Sequence, residues 1–373
     1  MELHSVACPF CSLHCDDLHL IYDGGHWKLI SPACSLASRR FKIWEPVPGR
    51  TTSPLIQNAT KILDKAHQIL IVLTGDVEQE TAIPALNLAR ATSAYLVRDN
   101  NSIDENVSSA MQKAGLLSAT LGDLRDRADQ VVILGDDPEK SLPRFWEFVG
   151  SKKREKAVRI NSKEILENIQ LFRLQRRRLK TTIKKEITGI ATRISRAGSG
   201  VVFVNSESII ADVNELTEIM LWLKELGEST NWFGQILVPS TNATGVARAL
   251  RSTTGYSGGL SFRRGITYHD PRLLQFESII KNHEVDAIAI IGGVDLLPRH
   301  ILEKLDGIKT IVISSEKPKL RTNAWLPCAQ VGIDAPGTMS RLDGVPVKFE
   351  PLVNSGHASA QDYLDKLIQR VNI

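Results

Sequence analysis

The sequence predicts an α/β protein, with a small N-terminal cysteine-rich β segment followed by two doubly wound domains. Three observations lead there. Four of the five cysteines fall in the first 34 residues, as Cys8-x2-Cys11-x3-Cys15 and then Cys34. Solid apolar runs end at glycine-bearing turns, as strands buried on both faces of a parallel sheet do. Stretches with helical spacing alternate with those runs. A length of 373 residues is long for one core and suggests two or three compact units.

In chain order, Leu18–Tyr22 and His26–Ile30 are short apolar runs around Asp23-Gly-Gly25, a hairpin signal that would return Cys34 to the Cys8–Cys15 loop. Ile56–His67 has helical spacing. Gln68–Leu73 reads as a buried strand running into Thr74-Gly75-Asp76, and Glu78–Ala91 as the helix after it. Asp129–Leu134 is a second such strand, ending in Gly135-Asp-Asp-Pro138, and Val158–Ile160 a shorter third. Ser162–Ser195 is a long charged helical stretch carrying Arg173, Arg176, Arg177, Arg178, Lys180, Lys184 and Lys185. It reads either as a solvated helix face or as a face for anions or partner subunits. Gly200–Val204, Ile236–Val238, Asp286–Ile291 and Lys309–Ser314 read as the strands of a second α/β unit. Residues 252–271 are rich in Gly and Ser without a clear period, which marks a functional or interfacial loop. The expected division is 1–54, 55–161, 162–325 and 326–373, with the last segment packing back on the α/β domains.

Composition narrows the classes. Apolar content of 42% and charged content of 24% are those of a soluble globular chain. With 46 basic and 42 acidic residues, the net charge of +4 argues against nucleic acid or membrane as partner. Residues 1–15 lack the features of a secretory signal, and no apolar run approaches the roughly 18–20 residues that span a bilayer. A cytoplasmic protein with reduced cysteines is the expectation, so four clustered thiols read as metal ligands rather than crosslinks. A four-thiolate pocket at Cys8, Cys11, Cys15 and Cys34 suits a [4Fe-4S] cluster or tetrahedral zinc. The spacing fits the cluster better than paired zinc knuckles, and an empty site stays open. His4, His14 and His19 could compete as ligands but read as solvated loop histidines. Cys328 reads as a buried, inert thiol. No Ser/His/Asp array, H-E-x-x-H pair or Walker loop is present.

Several segments together resemble the B-type chain of formylmethanofuran dehydrogenase, within the molybdopterin oxidoreductase superfamily. They are Cys8-Pro-Phe-Cys-Ser-Leu-His-Cys-Asp-Asp17, Ala110-Met-Gln-Lys-Ala-Gly115, Ala119-Thr-Leu-Gly-Asp123, and Arg127–Gly135 with Asp137-Pro138. Thr254-Gly-Tyr256 with Phe262-Arg-Arg-Gly265, Val331-Gly-Ile-Asp-Ala-Pro-Gly-Thr338 and Arg341-Leu-Asp-Gly-Val-Pro-Val347 extend the likeness over nearly the whole chain, in order. The resemblance implies a molybdopterin-oxidoreductase-like fold in a cytoplasmic one-carbon complex. It also implies a [4Fe-4S] cluster on the N-terminal cysteines and a tungsten or molybdenum pterin held by a cysteine or selenocysteine shortly before Ala110. Asn100–Ser108 contains no cysteine, so that thiolate is absent. Asp136 and Asp137 would repel a pterin pyrophosphate if they face it; otherwise they cap the next helix or point to solvent.

These departures point to a related assembly, the bacterial formyltransferase/hydrolase complex, which resembles the dehydrogenase in its plan of subunits without its redox step. In that reading the pterin is absent, and the chain is architectural and not itself catalytic. The partners implied are a zinc amidohydrolase-like hydrolase, a formyltransferase and a C-type chain of the same complex. Formyl-tetrahydromethanopterin would be converted to formate through a methanofuran-type carrier. Arg263 and Arg264 are candidate contacts for that carrier or for a partner. The rivals are an active pterin-dependent dehydrogenase chain and a free-standing iron–sulfur protein.

Overall fold

The computed structural model describes residues 3–23, 26–32, 34–43, 52–99, 101–176, 185–206, 208–209, 212–238, 240–282 and 284–371. The Gly24–Gly25 turn and, within the basic stretch, Arg177, Arg178, Lys180 and Lys184 lie outside these residues. The chain forms two compact units. One comprises Met1–Glu105, Ser240–Arg341 and Pro346–Ile373; the other comprises Asn106–Pro239 and Leu342–Val345.

The fold is mixed α/β, as expected. In the first unit five parallel strands run in the spatial order Tyr95–Arg98, Ile69–Leu73, Ala287–Ile291, Lys309–Ser314 and Ala324–Pro327. Two short antiparallel strands, Leu260–Ser261 and Tyr268–His269, complete a seven-stranded sheet beyond Tyr95–Arg98. Among the parallel strands, the first in the chain is therefore interior, the second lies to one side and the rest to the other. That is doubly wound connectivity, with its switch point between Ile69–Leu73 and Ala287–Ile291. Both strands are buried throughout, which explains their unbroken apolar runs. One face of the sheet packs on helices Thr52–Lys65, Ala82–Ala91 and Ala360–Ile368 through Ile56, Leu63, Leu86 and Leu364. The other packs on Phe276, Ile279 and Ile301. The last helix starts with a capping box, Ser359 and Asp362 exchanging side-chain-to-backbone hydrogen bonds.

The second unit holds a four-stranded parallel sheet in the order Val158–Ile160, Gln130–Leu134, Ser199–Asn205, Asn231–Leu237, again with the first strand inside. Its last strand is longer than the expected Ile236–Val238. Gly234 interrupts the apolar run because a Cβ there would come within 2.5 Å of Leu116 and 2.7 Å of Leu223.

The division differs from the expected boundaries at 54, 161 and 325. The chain passes between units at 105/106, 239/240, 341/342 and 345/346, and Ile69–Leu73 pairs with Ala287–Ile291 rather than with Gln130–Leu134. Apolar runs show which residues are strands, not which strands pair. Of the charged helical stretch expected over Ser162–Ser195, the described residues form helices over Ile165–Arg176 and Lys185–Arg196, and 177–184 lie outside them. Among the described residues no helix is long and apolar enough to cross a membrane.

Candidate functional site

The N-terminal segment is a three-stranded antiparallel sheet, Leu3–Val6, Leu18–Asp23 and His26–Ser31, followed by helix Ser35–Ile43. Leu18 and Leu20 alternate inward while their neighbours are more exposed. Cys8, Cys11 and Cys15 lie on the loop between the first two strands, closed by the Cys8 N–H donating to the Cys15 carbonyl at 2.7 Å. Cys34 follows the third strand and precedes the helix, where the Ala37 N–H donates to its Sγ at 3.3 Å. Phe10 of the loop meets Phe41 of that helix edge-on, with ring centroids 4.8 Å apart. The pairing of the second and third strands thus returns Cys34 to the loop, as the Gly-Gly signal suggested.

None of the five cysteines is in a disulfide, and Cys8, Cys11 and Cys15 are buried. Burial pushes the Cys8 thiol well up, and charge on Cys11, Cys15 and Cys34 pushes it further, against a backbone hydrogen bond at Phe10. Thiols gathered beside Cys8 would ionise together only with a cation among them. That donor set fits a four-thiolate centre. Among the described residues, however, no three or more Cys, His, Asp or Glu side chains are already disposed around a common metal position.

His14 corrects one expectation. It is fully buried rather than solvated: its Nδ1 lies 3.2 Å from the Cys8 carbonyl and its ring meets Phe349 edge-on at 5.3 Å. The hairpin Gly337–Ser340/Pro346–Phe349 supplies Phe349, and Gly332 allows the approach. Gly332 has a φ of +75°, and a Cβ there would stand 2.9 Å from Phe349 and 3.2 Å from Pro9. The cysteine loop is therefore built against the C-terminal part of its own unit.

Ligands of doubly wound folds bind outside the carboxyl ends of the strands, at the switch point. In the first unit that crevice joins Thr74-Gly75-Asp76 to Gly292-Gly293. The Asp76 carboxylate accepts from the Gly293 N–H at 3.0 Å and from the Thr74 hydroxyl at 2.5 Å. Beside it, Asp99 accepts from the Gly75 N–H at 2.9 Å and from the Ser240 hydroxyl at 3.3 Å. Gly292, with φ +102°, folds so closely over these groups that a Cβ would fall 1.9 Å from Thr74 and 2.4 Å from Asp76. Backbone N–H groups of the kind that cradle phosphates are thus taken by the chain's own carboxylates. Glu78 adds a buried carboxyl nearby, pushed up by its burial. Cys328 is half-buried where a buried thiol was expected, and desolvation and then the charges of Glu78, Asp76 and Asp334 raise it.

The corresponding crevice of the second unit is also self-occupied. The Asp136 N–H donates to the Ser208 hydroxyl at 2.8 Å, and the Asp136 carbonyl accepts from Asn205 Nδ2 at 3.1 Å. Asp137 does not face an open crevice. Its carboxylate caps the turn Pro138–Lys140 by accepting from the Glu139 N–H, and it also accepts from Trp146 Nε1 at 3.2 Å and Arg159 at 3.3 Å. The Asp136 side chain is exposed and pairs with Lys140. Capping describes Asp137 and solvent exposure Asp136.

The stretch without cysteine begins helix Asn101–Ala114. Its Glu105 is buried, accepts from the Ser257 hydroxyl at 2.7 Å and pairs with His269 Nε2 at 3.5 Å. Sequence reasoning marked the 252–271 loop but missed this cluster, because Glu105, Ser257 and His269 are far apart in the chain and form no local motif. Arg263 and Arg264 are both exposed. Arg263 is partly engaged within the unit: it donates to the Tyr95 hydroxyl at 2.8 Å and lies over its ring. Arg173 bridges Glu218 and Glu225 of helix Val213–Gly227. A cavity of about 480 Å³ in the first unit is lined by Val294, Leu297, Leu302 and Leu320 with Asp295, Arg299, Glu303 and Lys319.

No family model matches the chain. It is 22% identical to the B chain of the tungsten-containing formylmethanofuran dehydrogenase 2 of Methanocaldococcus jannaschii, with 99% of this chain and 98% of the relative aligned. It is 23% identical, with the same shares aligned, to the chain of that name from Methanococcus maripaludis. Among solved structures it is similar to a chain of the formyltransferase/hydrolase complex of Methylorubrum extorquens, solved with methylofuran. That match has a TM-score of 0.72, 17% identity, and covers 88% of this chain and 98% of the other.

Proposed function

We propose that this chain, which fits the B-type family of formylmethanofuran dehydrogenase along its whole length, is a non-redox, architectural B-type component of a formyltransferase/hydrolase complex. The observation that carries the reading is the switch point of the first unit, where Asp76 holds the Gly293 N–H that a pyrophosphate would need. The absence of any cysteine from Asn100 to Ser108 supports it from the sequence side. A pterin would have to displace a bound carboxylate among further acidic groups, then hold its metal without the family's thiolate.

In this reading the chain positions a hydrolase and a formyltransferase that pass a formyl group through a methanofuran-type carrier to formate, in the cytoplasm. Cys8, Cys11, Cys15 and Cys34 would hold a [4Fe-4S] cluster or zinc, which ties the N-terminal segment together and contributes to its folding energy. Arg264 is the clearer surface candidate for a carrier or partner contact, because Arg263 already serves Tyr95.

The tungsten-containing relatives favour a second reading, an active pterin-dependent chain. Purification of the native complex separates the two. Formate release from formyl-tetrahydromethanopterin with no stoichiometric tungsten, molybdenum or pterin supports the architectural reading. Stoichiometric pterin and metal bound to this chain would overturn it. Iron without partners, with a reversible potential, would favour a free-standing iron–sulfur protein.

A further inference from the structure

The Gly/Ser-rich loop is fastened from beneath by an imidazole that faces acceptors on both sides. His269 sits in the short edge strand Tyr268–His269. On one side its Nδ1 lies 3.1 Å from the Gly258 carbonyl and 2.9 Å from the Gly259 carbonyl. On the other its Nε2 lies 3.5 Å from Glu105 Oε2. Carbonyl and carboxylate oxygens only accept, so both ring nitrogens must carry hydrogen for both sides to be satisfied. A neutral imidazole has one N–H and must turn a lone pair toward an acceptor on the other side. The ring is also stacked under Tyr256, with centroids 4.1 Å apart. The second Glu105 oxygen takes the Ser257 hydroxyl at 2.7 Å. One imidazolium therefore links the helix start, the 256–259 turn and the edge strand.

We propose that His269 is a proton-dependent latch, which as imidazolium pins the loop 255–265 to Glu105 and on losing its proton releases one of its two attachments. The proposal does not depend on the function proposed above. The titratable and charged groups around it are Glu105 from the helix, Arg251 from helix Ala243–Thr254 acting on Glu105, and Asp270 next in the chain. Tyr256 of the loop and Tyr268 of the strand stand beside it.

The signs agree. Burial alone would lower His269, but Glu105 and the two glycine carbonyls outweigh it and raise it. Burial alone would raise Glu105, but His269, Ser257 and Arg251 lower it. A raised histidine contributes stability in full below its unfolded value and loses it as pH rises through its folded value. A depressed carboxylate contributes above its unfolded value and loses it as pH falls through its folded one. The latch holds in the window between and opens on the alkaline side. It matters for what this segment shows to solvent: Tyr256 of the loop, and Ile266 and Tyr268 just beyond it, are exposed large apolar side chains.

The test is amide hydrogen exchange of residues 255–265 across that pH range, corrected for intrinsic rates, with the His269 ring titrated by NMR in the full chain. Protection should fall as His269 deprotonates, by about tenfold for each unit by which its pKa stands above the ordinary value. In His269→Gln the pH dependence should vanish, with low protection throughout. In Glu105→Gln the His269 ring should titrate lower than in the wild type. Either variant could fail to fold, so the wild-type curves decide. A His269 ring that titrates at or below the ordinary histidine value, or loop protection indifferent to its titration, overturns the proposal.

Discussion

Replacing Asp76 tests whether the first unit's switch point is held together by the chain's own carboxylate. Asp76 accepts from Thr74 at 2.5 Å and from Gly293 at 3.0 Å through both oxygens. Hydrogen bonds to a charged group contribute about 1.5–3 kcal/mol each, and a donor left without a partner adds its own desolvation cost. Asp76 is only half-buried, so water recovers part of the loss. Asp76→Ala should then cost about 2–4 kcal/mol, and Asp76→Asn about half, since the amide keeps one oxygen for Gly293. For a unit of this size that is a fall in Tm of about 5–10 °C for the alanine variant. Thermal melting and urea unfolding of the three proteins measure it. The same samples should be titrated with inorganic pyrophosphate. No binding is expected to the wild type, and any binding gained by Asp76→Ala should weaken with salt. An alanine variant within about 0.5 kcal/mol of the wild type, or pyrophosphate bound by the wild type with Asp76 in place, would refute the reasoning.

Three further outcomes follow. Cys11→Ser should lower metal content and melting temperature without selectively abolishing formate release in an assembled complex; selective loss of turnover would make the site more than structural. Leu364→Ala should cost about 2–5 kcal/mol in urea unfolding, because the side chain is fully buried between the last helix and the sheet. Arg264→Ala should weaken carrier or partner binding in a salt-sensitive way with little change in stability, whereas Arg263→Ala should also loosen Tyr95; unchanged affinity at low salt removes Arg264 as a contact.

What the sequence made legible was local. Ile69–Leu73, Gln130–Leu134 and Ala287–Ile291 were visible because strands buried on both faces have few polar positions to interrupt them. Tyr95–Arg98 escaped because it is four residues long and ends in an arginine that is itself buried, donating to the Ala243 carbonyl at 2.9 Å. The hairpin carrying Phe349 escaped because its strands mix polar and apolar residues and its burial comes from remote segments, the cysteine loop among them. The four cysteines announced themselves by spacing. His14 could not be read as buried, since Phe349, which packs on its ring, lies at the other end of the chain. The Asp76 plug depends on Gly293, and the Glu105 cluster on Ser257 and His269, so both exist only once remote turns meet.

The interior strand of the first unit also sets a timetable for synthesis. Ile69–Leu73 leaves the ribosome early, but its neighbour on the switch-point side, Ala287–Ile291, is made more than 200 residues later. In the interval Asn106–Pro239 emerges with all four strands of its own sheet. The inserted part can close first, while an apolar strand with only Tyr95–Arg98 beside it waits with its other edge open to aggregation or chaperones. Pulse-labelled exchange during refolding should find Gln130–Leu134 protected before Ile69–Leu73, and the opposite order would show that the host unit does not wait for its missing strand.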